Sequence, residues 1–205
     1  MKKTISFILA LLMIFGTAVN AFAAVVKPVA DNTAVTAGEN VSVKIELDQK
    51  IENILQFEYS LYFDSNVFDL ESSAAGTACP SAQISKVKND KNGSYYSISF
   101  VDAATEGQTI NAGTIFTLNF KAKEDISEQK LASFKLEKVY LTDSDFLQID
   151  DGNVENGEFT VTVSPVICDH SETETAYTAK GDGNHTAIVT CKKCSAVIST
   201  FEEPC

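Results

Sequence analysis

The sequence predicts an all-β fold: an antiparallel β-sandwich or jelly roll of about nine strands, followed by a small C-terminal β-hairpin Cys/His module. Apolar and polar residues alternate with period two through most of residues 24–163, and turn residues punctuate the runs. No segment keeps a 3.6-residue period over three turns. Both histidines and four of the five cysteines fall after residue 167, which sets the end of the chain apart.

Taken in order, the chain opens with Lys2-Lys3, an apolar run from Ile5 to Phe15 and the small-x-small site Ala21-Phe22-Ala23. These read as a secretory signal peptide over residues 1–23. The apolar run is short for a bilayer span and no stop-transfer pattern follows, so the mature chain is expected to be secreted, from a bacterium, without membrane insertion. Residues 24–163 read as one large domain. Val41, Val43, Ile45 and Leu47 alternate with Ser42, Lys44, Glu46 and Asp48, the pattern of a half-buried strand. Phe57, Tyr59, Leu61 and Phe63 form the next such run, then Tyr96, Ile98 and Phe100, and then Phe116, Leu118, Phe120 and Ala122. Phe134 with Leu136, and Phe159 with Val161 and Val163, close the series. Ala37-Gly38, Lys91-Asn92-Gly93 and Asn111-Ala112-Gly113 supply turns. Asn92-Gly93 between two strand-like runs predicts a hairpin with a type I′ turn, in which both central residues have φ > 0. Cys79 has no nearby histidine or basic residue and is expected to be buried or inert. A boundary falls near Ser164-Pro165, leaving 164–205 as the small module.

Composition excludes several function classes. The chain has 205 residues, 16 lysines, no arginine and 28 acids, for a net charge of −12. Losing the first 23 residues, which carry two lysines and no acid, takes that to −14. Nucleic acid and anionic membrane surfaces both require a basic stripe that is missing here. Acid pairs such as Asp143/Asp145 and Asp150/Asp151 lie in charge-rich loops with no glycosidase pattern. There is no Ser-His-Asp or Cys-His arrangement in the large domain and no phosphate loop. A non-catalytic monomer is expected.

Three segments, in order and at matching spacing, carry a family resemblance. Ala37-Gly38-Glu39-Asn40-Val41-Ser42-Val43 resembles the "AG-x-x-V-x-V" opening of cohesin modules. Ile54 to Phe68, containing Tyr62-Phe63-Asp64-Ser65-Asn66-Val67-Phe68, resembles their "aromatic-Asp-x-x-Val-Leu" strand and turn. Gly113-Thr114-Ile115-Phe116-Thr117-Leu118-Asn119-Phe120-Lys121-Ala122-Lys123 resembles "G-x-[IL]-F-x-[IL]-x-F-x-x-K". The resemblance covers about 24–163 and implies a jelly roll that captures the calcium-loaded dockerin of another secreted protein, in an extracellular polysaccharide-degrading or surface assembly. The family places an Asn and an Asp on its binding face where this sequence has Gln56 and Glu58, and a further acidic contact falls on Asp102. Alternation puts Gln56, Glu58, Ser60 and Tyr62 on one face. The alternative is a carbohydrate-binding or adhesion module acting directly on a glycan. Tryptophan, the best sugar platform, is absent, and Tyr62, Tyr95 and Tyr140 are the outward candidates.

The tail contains Cys168-Asp169-His170, His185, Cys191-Lys192-Lys193-Cys194 and Cys205. A C-x-H pair and a C-x-x-C pair are two short chelating turns, enough to complete a tetrahedral sphere around structural Zn2+ from Cys168, His170, Cys191 and Cys194, with His185 as a substitute ligand. Gly181-Asp182-Gly183 and the strand-like Ala187 to Thr190 predict a hairpin leading into the C-x-x-C turn. An exported chain meets oxidising conditions, and the same cysteines could instead pair as disulfides. The tail resembles short Cys/His repeats of exported bacterial surface proteins.

Overall fold

The computed structural model describes residues 23–166, 168–193 and 195–204. The signal-peptide reading before Ala23, and the readings of Cys194 and Cys205, lie outside the described residues. Sixteen strands follow in order: β1 (Val25–Ala30), β2 (Ala34–Thr36), β3 (Asn40–Leu47), β4 (Ile51–Phe63), β5 (Phe68–Ala75), β6 (Gln83–Ile84), β7 (Lys88–Asp90), β8 (Gly93–Val101), β9 (Gln108–Ile110), β10 (Gly113–Ala122), β11 (Lys130–Asp143), β12 (Asn153–Val154), β13 (Glu158–Ser164), β14 (Thr173–Ala179), β15 (Asn184–Cys191) and β16 (Val197–Pro204). A five-stranded sheet runs β12-β1-β3-β10-β5. An eight-stranded sheet runs β2-β13-β11-β4-β8-β6, with β7 also on β8 and β9 also on β4. β14, β15 and β16 form a separate three-stranded sheet.

The period-two residues do what their spacing predicts. Val41, Val43, Ile45, Leu118 and Phe120 of the first sheet and Phe57, Tyr59, Leu61, Ile98, Phe134 and Val161 of the second are buried in one continuous core. Rings join the two layers: Phe120 lies 5.2 Å from Phe63 and 5.0 Å from Phe134, centroid to centroid. This is the interdigitation of two packed sheets, and each ring pair adds to simple area burial. Tyr59 reaches through the core to donate its hydroxyl to the Gly152 carbonyl at 2.7 Å, which ties the loop before β12 to the centre of β4. Burial pushes that hydroxyl's pKa far up. Cys79 is 2% exposed, and burial likewise raises its thiol. No helix among the described residues is long and apolar enough to cross a membrane.

Three features differ from the sequence reading. The sandwich is not wholly antiparallel, because β1 pairs parallel with β12 and β13 pairs parallel with β2. Both short strands sit on sheet edges, where they cover backbone groups that would otherwise stand open. The β7–β8 hairpin forms, but Asp90 pairs with Gly93, so the loop is Lys91-Asn92. Gly93 has φ +126° while Asn92 is not among the residues of positive φ, so the turn is not type I′. The Asp90 carboxylate accepts the Asn92 N–H at 2.7 Å, and this side-chain cap holds the turn instead. The tail adds a third strand, β16, to the predicted hairpin.

Candidate partner-binding face and Cys/His cluster

The outer face of the eight-stranded sheet is assembled by alternation along β4. Pairing brings Gln56 between Val101 and Thr142, Glu58 between Ser99 and Tyr140, Ser60 between Ser97 and Glu137, and Tyr62 between Tyr95 and Lys135. At the centre Glu58 is half-buried and accepts the Ser97 hydroxyl at 2.5 Å. Burial, together with the nearby Glu58 carboxylate, pushes the Tyr140 hydroxyl up. At one end the Tyr62 and Tyr95 rings meet at 5.0 Å with a 36° tilt, and the Tyr62 hydroxyl donates to Asp90 at 2.9 Å. Lys135 pairs with Glu137 at 2.6 Å on the same face. Val101, 62% exposed, lies at the other end. The face is mostly polar and net acidic, with the Tyr62–Tyr95 pair at one end, Val101 at the other and Tyr140 beside the central Glu58.

Asp102 does not belong to that surface. It is 3% exposed, and its carboxylate accepts N–H groups of Ala104 and Gly107 at 3.1 Å each and the Gln108 amide at 3.0 Å. The expectation of an exposed acidic contact is therefore corrected: the carboxylate is consumed in shaping the loop before β9. Ser60, between Ser97 and Glu137, is only 4% exposed, so the expectation that it contacts a partner is corrected as well.

In the tail, Cys168, His170 and Cys191 bring one donor atom each to within 4.8 Å of one another, and the two Sγ atoms are 3.2 Å apart. Cys191 ends β15, and Cys168 and His170 lie just before β14, which pairs Thr173 with Cys191. After Cys191 the chain turns tightly: Ser195, in the left-handed region at φ 59°, donates its N–H to the Cys191 carbonyl at 2.8 Å. His185 is not part of the group. Six residues of extended chain, roughly 20 Å, separate it from Cys191. It packs edge-on to Tyr177 with centroids 4.9 Å apart and lies 3.4 Å from Glu203, so its reading as a substitute ligand is corrected.

The cohesin family model, described as Cohesin domain, matches residues 26–161. The chain belongs to the cohesin family. Solved cohesins share its fold. A type I cohesin–dockerin complex from Clostridium thermocellum (Coh-OlpC-Doc435) aligns at 18% identity over 69% of this chain and 95% of that one, TM-score 0.54. The third ScaC cohesin of Acetivibrio cellulolyticus, solved with the ScaB dockerin, aligns at 15% identity over 69% and 99%, TM-score 0.53. The seventh ScaB type I cohesin of Pseudobacteroides cellulosolvens aligns at 18% identity over 71% and 96%, TM-score 0.52. No curated protein matches the chain. Within this cohesin domain, Gln56, Glu58 and Tyr62 share one open face as their parity predicts. Tyr140, an outward candidate in the sequence, is on that face too, although a strict count from Phe134 would turn it inward, because Val139 bulges out of β11 between Lys138 and Tyr140; Thr142 pairs with Gln56 on the same side but is 7% exposed.

Proposed function

We propose that the cohesin domain, residues 24–163, is a secreted, non-catalytic docking module that binds the dockerin of another exported protein through the outer face of its eight-stranded sheet. The observation that carries this reading is the solvent-facing side of β4 centred on Glu58, where Gln56, Glu58 and Tyr62 stand together, on a domain of the cohesin family. Gln56 and Tyr62 flank Glu58 along β4, and Tyr140 and Val101 add area from the adjoining strands. Two of the structurally similar cohesins were solved with a dockerin bound, which supports the choice of partner class. A polar face with few large apolar groups suits a partner that must be selected by charge and hydrogen-bond pattern. Ser60 contributes shape rather than contact, and Asp102 acts only through its loop.

Glu58→Lys is the direct test. Charge reversal at the centre of the face is expected to weaken binding to a cognate dockerin roughly 10–100-fold. The accompanying loss of stability is expected to stay near 1 kcal/mol, from the hydrogen bond with Ser97. Calorimetric titration against a panel of calcium-loaded dockerins measures the first, and denaturant unfolding the second. Unchanged affinity would place the partner on another surface. A second reading, direct glycan binding, draws on the Tyr62–Tyr95 pair, although a 36° tilt makes a poor flat platform. Retention on an insoluble polysaccharide that is lost with Tyr62→Ala and Tyr95→Ala would favour it.

For the separate module, residues 164–205, the reading is a structural Zn2+ held by Cys168, His170 and Cys191. Two thiolates and an imidazole are a borderline-soft donor set that suits zinc and discriminates against calcium and magnesium. The C-x-x-C spacing offers Cys194 as the fourth ligand.

A further inference from the structure

The three-stranded sheet of the tail presents an energetic problem that the sandwich does not. Among the described residues from 164 to 204, only Ala187 and Cys191 have buried side chains. Every residue of β14 is exposed, and all of β16 except Glu203 is exposed too. Cys191 is one of the clustered donors, so Ala187 is the single buried apolar side chain with no other part to play. Its cross-strand neighbours are Tyr177 and Phe201, which remain 61% and 42% exposed. Among the described residues the sheet is one layer thick and pairs with no strand of the sandwich. Short sheets of this kind are marginal in water unless they pack a hydrophobic face, because apolar burial must offset the entropy lost on ordering each residue.

The cluster lies where a cross-link would stabilise the sheet most. The β14–β15 hairpin is closed at one end by the glycine turn 181–183, where Asp182 caps the Asn184 N–H at 3.0 Å and Lys180 donates to the Asn184 carbonyl at 3.0 Å. Its other end is the mouth, where Cys168 and His170 enter and Cys191 leaves. β16 pairs along β15 from Asn184 to Thr190, and the mouth is tied on both sides: the Cys191 N–H donates to the Ala196 carbonyl before β16 at 2.9 Å, and the Lys192 N–H to the Glu172 carbonyl before β14 at 2.9 Å. An ion bound there would tie the start of β14, the end of β15 and the turn into β16 at one point.

We propose that the tail sheet folds only when a thiophilic divalent ion occupies the Cys168/His170/Cys191 cluster, so that the module is ordered in the loaded protein and unfolded in the metal-free one. The sandwich, with its own continuous core, is indifferent to the ion. The inference rests on the zinc reading of this cluster and adds that the ion supplies the folding free energy that Ala187 cannot.

The test uses the full mature chain, reduced, with zinc added or removed by a chelator. Bound metal is quantified, digestion by a lysine-specific protease is followed at Lys180, Lys192 and Lys193, and amide NMR dispersion is recorded for residues 173–204. Removing zinc is expected to accelerate cleavage at these lysines by more than about tenfold and to collapse the tail amides to random-coil shifts. Zinc or Co2+ should reverse both, Ca2+ and Mg2+ should not, and the sandwich's unfolding transition should stay in place throughout. Stoichiometric zinc binding to a tail that is equally resistant and dispersed without metal would overturn this proposal and leave the zinc reading intact. A tail that binds no zinc, or one that holds its fold through a Cys168–Cys191 disulfide, would remove both. Chelation avoids relying on Cys191→Ser, which buries a hydroxyl at a 1% exposed position and destabilises the sheet by desolvation alone.

Discussion

Replacing Asp102 by alanine is expected to cost the cohesin domain roughly 3 kcal/mol, read as a lower denaturant midpoint and a fall in Tm of about 10 °C. The reason is its surroundings. The carboxylate is nearly inaccessible and accepts three donors, two of them backbone N–H groups of the loop that leads into β9. Alanine leaves those donors unmet in a site with little room for water, and unmet buried donors carry their full desolvation penalty. Asn should fall between the two. Its oxygen can keep the Ala104 and Gln108 bonds, but its amide would then face the Gly107 N–H, donor against donor. Lysine at 102 should be worse than alanine, because it adds an unpaired charge where an anion was solvated by three donors. A variant series with unchanged stability would show that the loop does not depend on this carboxylate.

The largest loss is expected at a glycine. Gly76 follows β5 and donates its N–H to the Ile115 carbonyl at 2.8 Å, beside the irregularity where β10 skips a pairing between Thr114 and Phe116. A Cβ there would lie 1.9 Å from the Thr114 carbonyl oxygen and 2.5 Å from its carbon. The obstacle is backbone of a central strand, not a side chain that can rotate away. Gly76→Ala is therefore expected to destabilise by more than about 4 kcal/mol, or to prevent folding. Gly93→Ala makes the control. Nothing lies within 4 Å of the point a Cβ would occupy there, and only the φ of +126° opposes a side chain, so about 1 kcal/mol is expected. Urea denaturation of the pair separates steric from conformational demand, and equal losses would refute the distinction.

How much of this was legible in the sequence depends on which physical signal carried it. The long strands were, because a residue buried on one face must recur every second position, and runs such as Val41 to Leu47 and Phe57 to Phe63 do so without interruption. The two- and three-residue strands were not, since β2, β6, β7, β9 and β12 are too short to show a period and exist only because a neighbouring strand offers an edge. β11 shows the limit of parity. Phe134 and Leu136 mark its first half, but the bulge at Val139 shifts the count, so strict alternation would turn Tyr140 inward although it lies on the outer side. Lys138, which parity would turn into the core, instead sends its ammonium to the Ile149 and Asp151 carbonyls.

The site was legible to the same degree. Alternation places Gln56, Glu58 and Tyr62 together. Whether an acidic residue faces a partner or its own loop is a question of tertiary hydrogen bonding, and that is why the resemblance misplaces Asp102. In the tail, chelating spacing identifies Cys168, His170 and Cys191, while the distance of His185 becomes apparent only once residues 184–191 form one extended strand. β16 is invisible to pattern because Val197 to Pro204 lacks any alternation, as befits a strand with water on both sides.

The role of this face as the docking surface is tested most directly by mapping a bound dockerin onto the cohesin domain by NMR. With a calcium-loaded dockerin that binds, chemical-shift changes are expected to concentrate on β4, β8 and β11 around Gln56, Glu58, Tyr62, Tyr140 and Val101, with the five-stranded sheet silent. Changes centred instead on β3, β10 and β5, with β4 unmoved, would contradict it.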